Sequence, residues 1–175
     1  MRIVYFGTPD FAVAPLVALH EAGHEIVLVV TQPDKPRGRG HALQFPPVKE
    51  AALRLGIPVA QPERARNADF IGLLRKQKAE LFVVTAFGQI LPKEILELPR
   101  YGCVNIHASL LPAYRGAAPI QWAVIDGQKE SGITTMQMDE GLDTGDILRR
   151  YPLPLGPEET GGSLFSKLEN LGAEA

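Results

Sequence analysis

The sequence predicts an α/β fold, in which an open, mostly parallel, Rossmann-like sheet carries helices on both faces. Residues 2–7 (RIVYFG) are an apolar run closed by glycine, and residues 25–31 (EIVLVVT) are a second apolar run rich in β-branched side chains. A helical stretch lies between them, and strand, helix and strand in succession form a βαβ unit. Strands that are apolar throughout are buried on both faces, as in parallel sheets. A third such run, residues 80–87 (ELFVVTAF), extends the pattern.

The other elements of the amino-terminal half follow from apolar spacing and from the residues at their ends. We expect Thr8 to cap the first helix, Pro9 to begin it, and Pro15 to loosen its first turn. Residues 32–47 (QPDKPRGRGHALQFPP) are predicted to be a long loop. Further helices are predicted at 47–55 and 69–78, a short strand at 57–60, and a helix or single turn at 92–98.

In the carboxyl-terminal half, the pattern predicts a strand at 104–107, a helix at 119–126 and a strand at 132–138. Residues 147–155 are predicted to form an edge strand, because Pro152 and Pro154 cannot donate to a neighbour. A helical stripe begins at Thr160. Trp122 is expected to pack against the core.

Composition restricts the class of protein. The chain has 175 residues, 45% hydrophobic and 22% charged, which suits one globular domain. The net charge of −2 gives no global electrostatic case for nucleic acid. The lone cysteine, Cys103, excludes a disulfide framework and is expected to be a small buried hydrophobe. No signal peptide or membrane span is recognised, so we expect a cytoplasmic protein, and we expect a monomer.

The chemistry is predicted to centre on residues 102–116 (GCVNIHASLLPAYRG). A strand of period two places Asn105 and His107 on one face. They lie near its carboxyl end, where ligands bind in open α/β sheets. An amide can stabilise an oxyanion, histidine moves protons near neutral pH, and a neighbouring carboxylate orients it. Asp139, Asp143 and Asp146, in the acidic loop DEGLDTGD, are the candidate carboxylates. A satisfied polar pair beside a solvated loop is the alternative.

Other motifs are absent or ambiguous. The first turn, GTPDFA, has one glycine where a dinucleotide fingerprint needs three, which argues against NAD or FAD. His20, His24 and His41 lack the spacing of metal ligands. The proline- and glycine-rich loop carries Lys35, Arg37 and Arg39, and its composition fits either a solvated loop or an arm that contacts phosphates.

Several stretches together resemble the formyltetrahydrofolate-dependent formyltransferases. They are NIHASLLPAYRGAAPIQWAVIDG, GITTMQMDEGLDTGDIL, GTPDFAVAPL, TQPDKPRGRG and AFGQILP, which cover essentially the whole chain. The combination of N-x-H, SLLP and D-x-G-x-D-T-G-D is highly specific for this family. RGAAPIQ, MQMD and the GRG loop point to the member that acts on tRNA.

The resemblance implies the reaction and the roles of residues. The donor would be 10-formyltetrahydrofolate, the acceptor would be the α-amine of methionine on initiator tRNA, and no metal would be needed. The family's catalytic residues fall on Asn105, His107 and Asp143. Its folate contacts fall on Ser109, Leu110, Leu111, Pro112, Phe87, Gly88, Ile90 and Asp139. Its tRNA contacts fall on Arg39 above all, with Arg37 and Lys35.

The resemblance also implies an organisation and its alternatives. Residues 1–175 would be the catalytic domain, and a β-barrel domain that contributes to tRNA binding follows in family members. Relatives that formylate a sugar-nucleotide amine, or that hydrolyse 10-formyltetrahydrofolate, share the three catalytic residues. A silent nucleotide-binding module with a Rossmann-like sheet is the alternative from another class, and it predicts the glycine fingerprint that is missing here.

Overall fold

The structure, a computed structural model, describes residues 1–37 and 42–175. Its strands are β1 (Arg2–Gly7), β2 (Glu25–Val30), β3 (Lys35–Arg37), β4 (Ala42–Gln44), β5 (Val59–Ala60), β6 (Leu81–Thr85), β7 (Cys103–His107), β8 (Glu130–Gln137) and β9 (Ile147–Pro154). Seven of them form an open sheet in the order β5-β2-β1-β6-β7-β8-β9. All pairs from β5 to β7 are parallel, while β8 and β9 are antiparallel additions. The predicted open, mostly parallel sheet is confirmed, and β9 is an edge strand as expected.

Helices cover both faces of this sheet. They are α1 (Val13–Glu21), α2 (Pro47–Arg54), α3 (Ala68–Lys76), α4 (Lys93–Leu96), α5 (Pro119–Ile125) and α6 (Gly161–Glu174), with a 3-10 turn at Asp10–Ala12. Successive side chains of β1 point to opposite faces. Ile3 and Tyr5 pack in the cluster that holds α1, α2, α5 and α6, and Val4 and Phe6 pack in the cluster that holds α3 and α4. The apolar run of β1 is therefore buried on both sides.

Two side chains behave differently from the sequence prediction. Thr8 does not cap α1, because its hydroxyl donates to the carbonyl of Phe87 at 2.9 Å and Pro9 precedes a 3-10 turn instead. Trp122 is 51% exposed. Helix α5 buries Ile120 and Ala123, and residues two positions apart on a helix do not share a face, so Trp122 points outward.

Other local predictions are refined or supported. The predicted loop at 32–47 contains the short antiparallel pair β3–β4. Helix α6 begins with a capping box, in which Thr160 and Ser163 each bond the other's backbone. Cys103 is buried, and burial raises the pKa of its thiol to about 12, which agrees with a packing role. None of the described helices combines the length and the hydropathy that crossing a bilayer requires.

Candidate active site

The carboxyl end of β7 presents an amide and an imidazole on one face of the sheet. Strand β7 lies between β6 and β8, so its backbone is held on both sides. Asn105 and His107 alternate with Ile106 along it, and they are only 9% and 8% exposed. Buried polar side chains need partners, and the loops that follow β7 and β8 supply them.

Asp143 is the acidic residue that the fold brings to this pair. Its Oδ1 accepts a hydrogen bond from Asn105 Nδ2 at 3.3 Å, and its Oδ2 lies 3.6 Å from His107 Nδ1. Asp139 instead stabilises its own loop, since its Oδ1 accepts from the Gly141 backbone and the Thr144 hydroxyl. The predicted trio of Asn105, His107 and Asp143 therefore lies together.

The orientation of the imidazole is fixed from its other side. His107 Nε2 lies 2.9 Å from the carbonyl oxygen of Tyr114. Because a carbonyl only accepts, Nε2 must carry a hydrogen, and Nδ1 is the ring nitrogen left to face Asp143. Tyr114 is itself anchored by its hydroxyl, which donates to Asp126 at 2.7 Å, and that bond raises the pKa of the Tyr114 phenol.

The backbone around this trio is strained. Five non-glycine residues in the described part of the chain have positive φ, and four of them surround the site: Ala86, Tyr114, Ala118 and Asp143, the last at +52°. A side chain with a Cβ disfavours this conformation, and such residues cluster at functional sites because the surroundings impose it. The local backbone is therefore held in place by tertiary contacts.

A cavity of about 660 Å³ opens above the trio. Asn105, His107 and Asp143 all line it, together with predicted donor contacts Phe87, Gly88, Ile90 and Asp139. The wall is mainly apolar, with Leu142 contributed by the acidic loop and with Met136 and Met138, which sequence reasoning did not identify. This size and mixture of surfaces are typical of sites for small molecules. Among the described residues, no group of three or more His, Cys, Asp or Glu side chains is arranged to hold a metal ion.

The segment Ser109–Leu110–Leu111–Pro112 lies beside the cavity and does not contribute to its described wall. It is anchored to β8 and β9. The Thr134 hydroxyl accepts from the Leu111 N–H at 3.0 Å and donates to the Ser109 carbonyl at 2.7 Å, and Arg150 Nε donates to the Leu111 carbonyl. The segment therefore fixes the start of the loop that brings Tyr114 to His107.

Thr134→Val is expected to destabilise the chain by about 2–3 kcal/mol, because it leaves the Ser109 carbonyl and the Leu111 N–H buried without a partner. The valine keeps the shape of threonine, and Thr134 is fully buried. The free energy of unfolding is measured by urea titration. Thr135→Val is the matched control, since its hydroxyl makes only a 3.5 Å contact with the Arg149 carbonyl. Equal effects of the two substitutions would contradict this anchoring role.

The predicted tRNA arm carries its basic residues on β3 and in the segment that follows it. Lys35 is exposed on β3, Arg37 ends that strand, and Arg39 lies outside the described residues. Next to β3, Lys49 donates to Asp34 at 2.6 Å and to Gln61 at 2.8 Å, and Gln61 and Lys49 together lower the pKa of Asp34. Sequence reasoning missed this cluster, because its members are distant in sequence and match no motif.

Comparison with known proteins places the chain among enzymes of one chemical class. A family profile described as formyl transferase matches residues 1–175. The chain is 60% identical over 174 residues to a methionyl-tRNA formyltransferase of Agathobacter rectalis, covering 99% of this chain and 56% of that protein. It is 62% identical over 173 residues to the enzyme of that name in Lachnospira eligens, covering 99% and 55%. The chain thus spans little more than half the length of these curated relatives.

Solved structures share the fold at low sequence identity. Phosphoribosylglycinamide formyltransferase from Bacillus halodurans superposes with a TM-score of 0.84 at 23% identity, over 99% of this chain and 90% of that one. A sugar N-formyltransferase from a Shewanella species superposes with a TM-score of 0.72 at 18% identity, over 99% and 65%. These likenesses support the architecture of the sheet and its helices.

Proposed function

Because this chain belongs to the formyl transferase family, we propose that it transfers a formyl group from 10-formyltetrahydrofolate to the α-amine of methionine on initiator tRNA. The observation that supports this most strongly is the contact among Asn105, His107 and Asp143 at the wall of a roomy cavity. The tRNA acceptor is favoured because the relatives identical at 60% and 62% carry the name methionyl-tRNA formyltransferase.

The donor is proposed to occupy the half of the cavity between residues 86–91 and the acidic loop. Phe87, Gly88, Ile90 and Asp139 line this part of the cavity, so its wall combines apolar side chains with a glycine and a carboxylate. A flat heterocycle with polar edges suits such a surface, because its faces meet apolar groups and its edges meet backbone donors and acceptors. Residues Ser109–Pro112 would act on the donor indirectly, through the loop that they anchor.

The proposed chemistry is direct transfer. The neutral amine attacks the formyl carbon, the new C–N bond forms, and the bond from carbon to the folate N10 breaks as the amine proton is passed to N10. Asn105 has two amide hydrogens, one directed at Asp143, and we assign the other to the oxyanion. His107 would donate through Nδ1 in its doubly protonated form, since Nε2 is committed to Tyr114 and the neutral ring carries only that one hydrogen. Asp143 would orient the imidazole and accept the amine proton on its way to N10.

The acceptor is proposed to bind against a second, apolar set of the residues that line the cavity. There the cavity is lined by Phe11, Ile120 and Phe165, with the two phenyl rings 5.9 Å apart in an edge-to-face pair. An apolar wall suits the thioether chain of methionine. The hydroxyl groups of a sugar would find no partners among these rings, and that cost favours methionine over a sugar-nucleotide amine.

The basic residues of the loop at 32–47 are proposed to contact the acceptor arm of the tRNA, which also implies a cytoplasmic enzyme. Arg39→Ala is expected to raise the KM for tRNA about tenfold. It should also make the plot of the logarithm of tRNA affinity against the logarithm of salt concentration less steep, by a slope of about one. The KM for the folate donor should change little. Arg54→Ala removes an exposed arginine from the end of α2 and serves as the control. Equal losses for tRNA and donor in Arg39→Ala would contradict a role in tRNA contact.

The choice of acceptor is tested by offering the full-length protein labelled 10-formyltetrahydrofolate with three acceptors in parallel. These are methionyl initiator tRNA, a nucleotide-linked amino sugar, and water alone. We expect label on the tRNA at a rate far above the other two. Preferred transfer to the sugar amine, or release of free formate without tRNA formylation, would favour the related activities instead.

A further inference from the structure

We propose that Arg115 is a positioning residue that holds Asp143 in the conformation needed for formyl transfer. Arg115 Nε donates a hydrogen bond to the carbonyl oxygen of Asp143 at 2.9 Å. Arg115 belongs to the loop after β7, whereas Asp143 belongs to the loop between β8 and β9, so this bond joins two loops across the rim of the site. The inference rests on the proposed function, because it assigns Arg115 a role through Asp143.

Two consecutive residues, Arg115 and Gly116, restrain Asp143 through its backbone and through its side chain. While Arg115 binds the backbone carbonyl, the Gly116 N–H donates to the carboxylate Oδ2 at 2.8 Å. Gly116 itself has φ +83°, a conformation that favours glycine, and a Cβ there would lie 3.3 Å from Leu142. The dipeptide therefore restrains both the backbone and the side chain of Asp143.

This restraint matters because Asp143 is in the left-handed region, at φ +52°. A residue with a Cβ disfavours this region, although aspartate tolerates it better than most. Relaxation of φ to negative values would swing the carboxylate away from Asn105 and His107. A hydrogen bond from a charged donor is stronger than a neutral one, so the guanidinium of Arg115 is well suited to hold the carbonyl.

The alternative role for an exposed arginine at the rim of the cavity is binding a phosphate of the tRNA. The two roles affect different kinetic constants. A group that only binds the tRNA changes its KM, whereas a group that fixes the geometry of Asp143 changes kcat with little change in either KM.

The test compares Arg115→Ala and Arg115→Lys with the wild-type full-length enzyme, and it measures kcat and the KM for tRNA and for the donor. We expect kcat of Arg115→Ala to fall about tenfold, as for loss of one charged hydrogen bond, with both KM values within about twofold. Adding guanidinium at low millimolar concentration should restore part of kcat in Arg115→Ala. The kcat of Arg115→Lys should lie between those of the wild type and Arg115→Ala, because the lysine ammonium keeps the positive charge but lacks the forked N–H geometry of guanidinium.

Controls separate the possible outcomes. Arg75→Ala removes an exposed arginine that pairs with Glu94 between α3 and α4, and it should keep wild-type kcat. Thermal unfolding of each variant reports the fraction folded, by which kcat is corrected. Unchanged kcat in Arg115→Ala, or a defect confined to the KM for tRNA, would overturn the positioning role. Absence of formyl transfer by the wild-type enzyme would instead overturn the proposed function.

Discussion

Replacing Asn105 with alanine is expected to lower kcat for formyl transfer by a factor of about 10² to 10³, the effect of losing one preorganised oxyanion donor. Asn105 is 9% exposed, and its described side-chain contact is the 3.3 Å bond to Asp143. When that bond is lost, the Asp143 carboxylate still accepts a hydrogen bond from the Gly116 N–H. Single-turnover formylation of methionyl-tRNA, measured at saturating donor, reports the chemical step directly.

The fold should survive the Asn105→Ala substitution, because β7 remains paired with β6 and β8 through its backbone. Asn67→Ala is a useful comparison. Asn67 caps α3 through bonds to two backbone N–H groups, so its loss should cost about 1 kcal/mol of stability and leave kcat unchanged. Retention of more than a tenth of wild-type activity by Asn105→Ala would show that the oxyanion is stabilised elsewhere.

Asp143→Asn is expected to lower kcat by a factor of about 10² to 10⁴, as for loss of a group that transfers protons. Asparagine keeps the size of aspartate and tolerates positive φ, so the loop should keep its shape while the charge beside His107 is lost. Asp143→Ala should lose at least as much activity, and it should also be less stable, since alanine disfavours the φ of +52° at this position.

Asp146→Asn is the matched control for this prediction. Asp146 lies in the same acidic loop and was an equal candidate when only the residue types were considered, yet it is exposed and is absent from the cavity wall. We expect Asp146→Asn to retain wild-type kcat. A large loss in Asp146→Asn with normal activity in Asp143→Asn would exchange the roles of these two carboxylates.

The sequence predicts the strand part of the site well, for a simple physical reason. Alternation along β7 depends only on the backbone period, so Asn105 and His107 share a face whatever the loops do. The apolar runs of β1, β2 and β6 likewise predict a sheet buried on both sides, and the structure contains it. These inferences require no knowledge of distant contacts.

The loop part of the site was not predictable from local patterns. Three aspartates follow β8, and which one reaches His107 depends on a left-handed residue held by Arg115 and Gly116 from another loop. The carbonyl of Tyr114 that orients His107 carries no sequence signal, since every residue has a carbonyl. Resemblance to known enzymes supplied Asp143 where local reasoning had left three choices.

The two incorrect predictions from the sequence, for Thr8 and for Trp122, have the same origin. The hydroxyl of Thr8 is taken by the carbonyl of Phe87 on a neighbouring strand end, so a residue with good capping propensity is used elsewhere. Trp122 lies on a short helix whose buried face is set by Ile120 and Ala123. In each case the competing interaction is tertiary, and it outweighs the local preference.

The central claim is that the cavity above Asn105, His107 and Asp143 binds the formyl donor. A crystal structure with a donor analogue, in which carbon replaces N10 so that the acyl group cannot be transferred, tests this directly. We expect the analogue's ring system between residues 86–91 and the acidic loop, with its carbonyl oxygen within hydrogen-bond distance of Asn105 Nδ2. An analogue bound in the separate groove lined by Pro62, Arg64 and Leu73, with the cavity empty, would contradict the account.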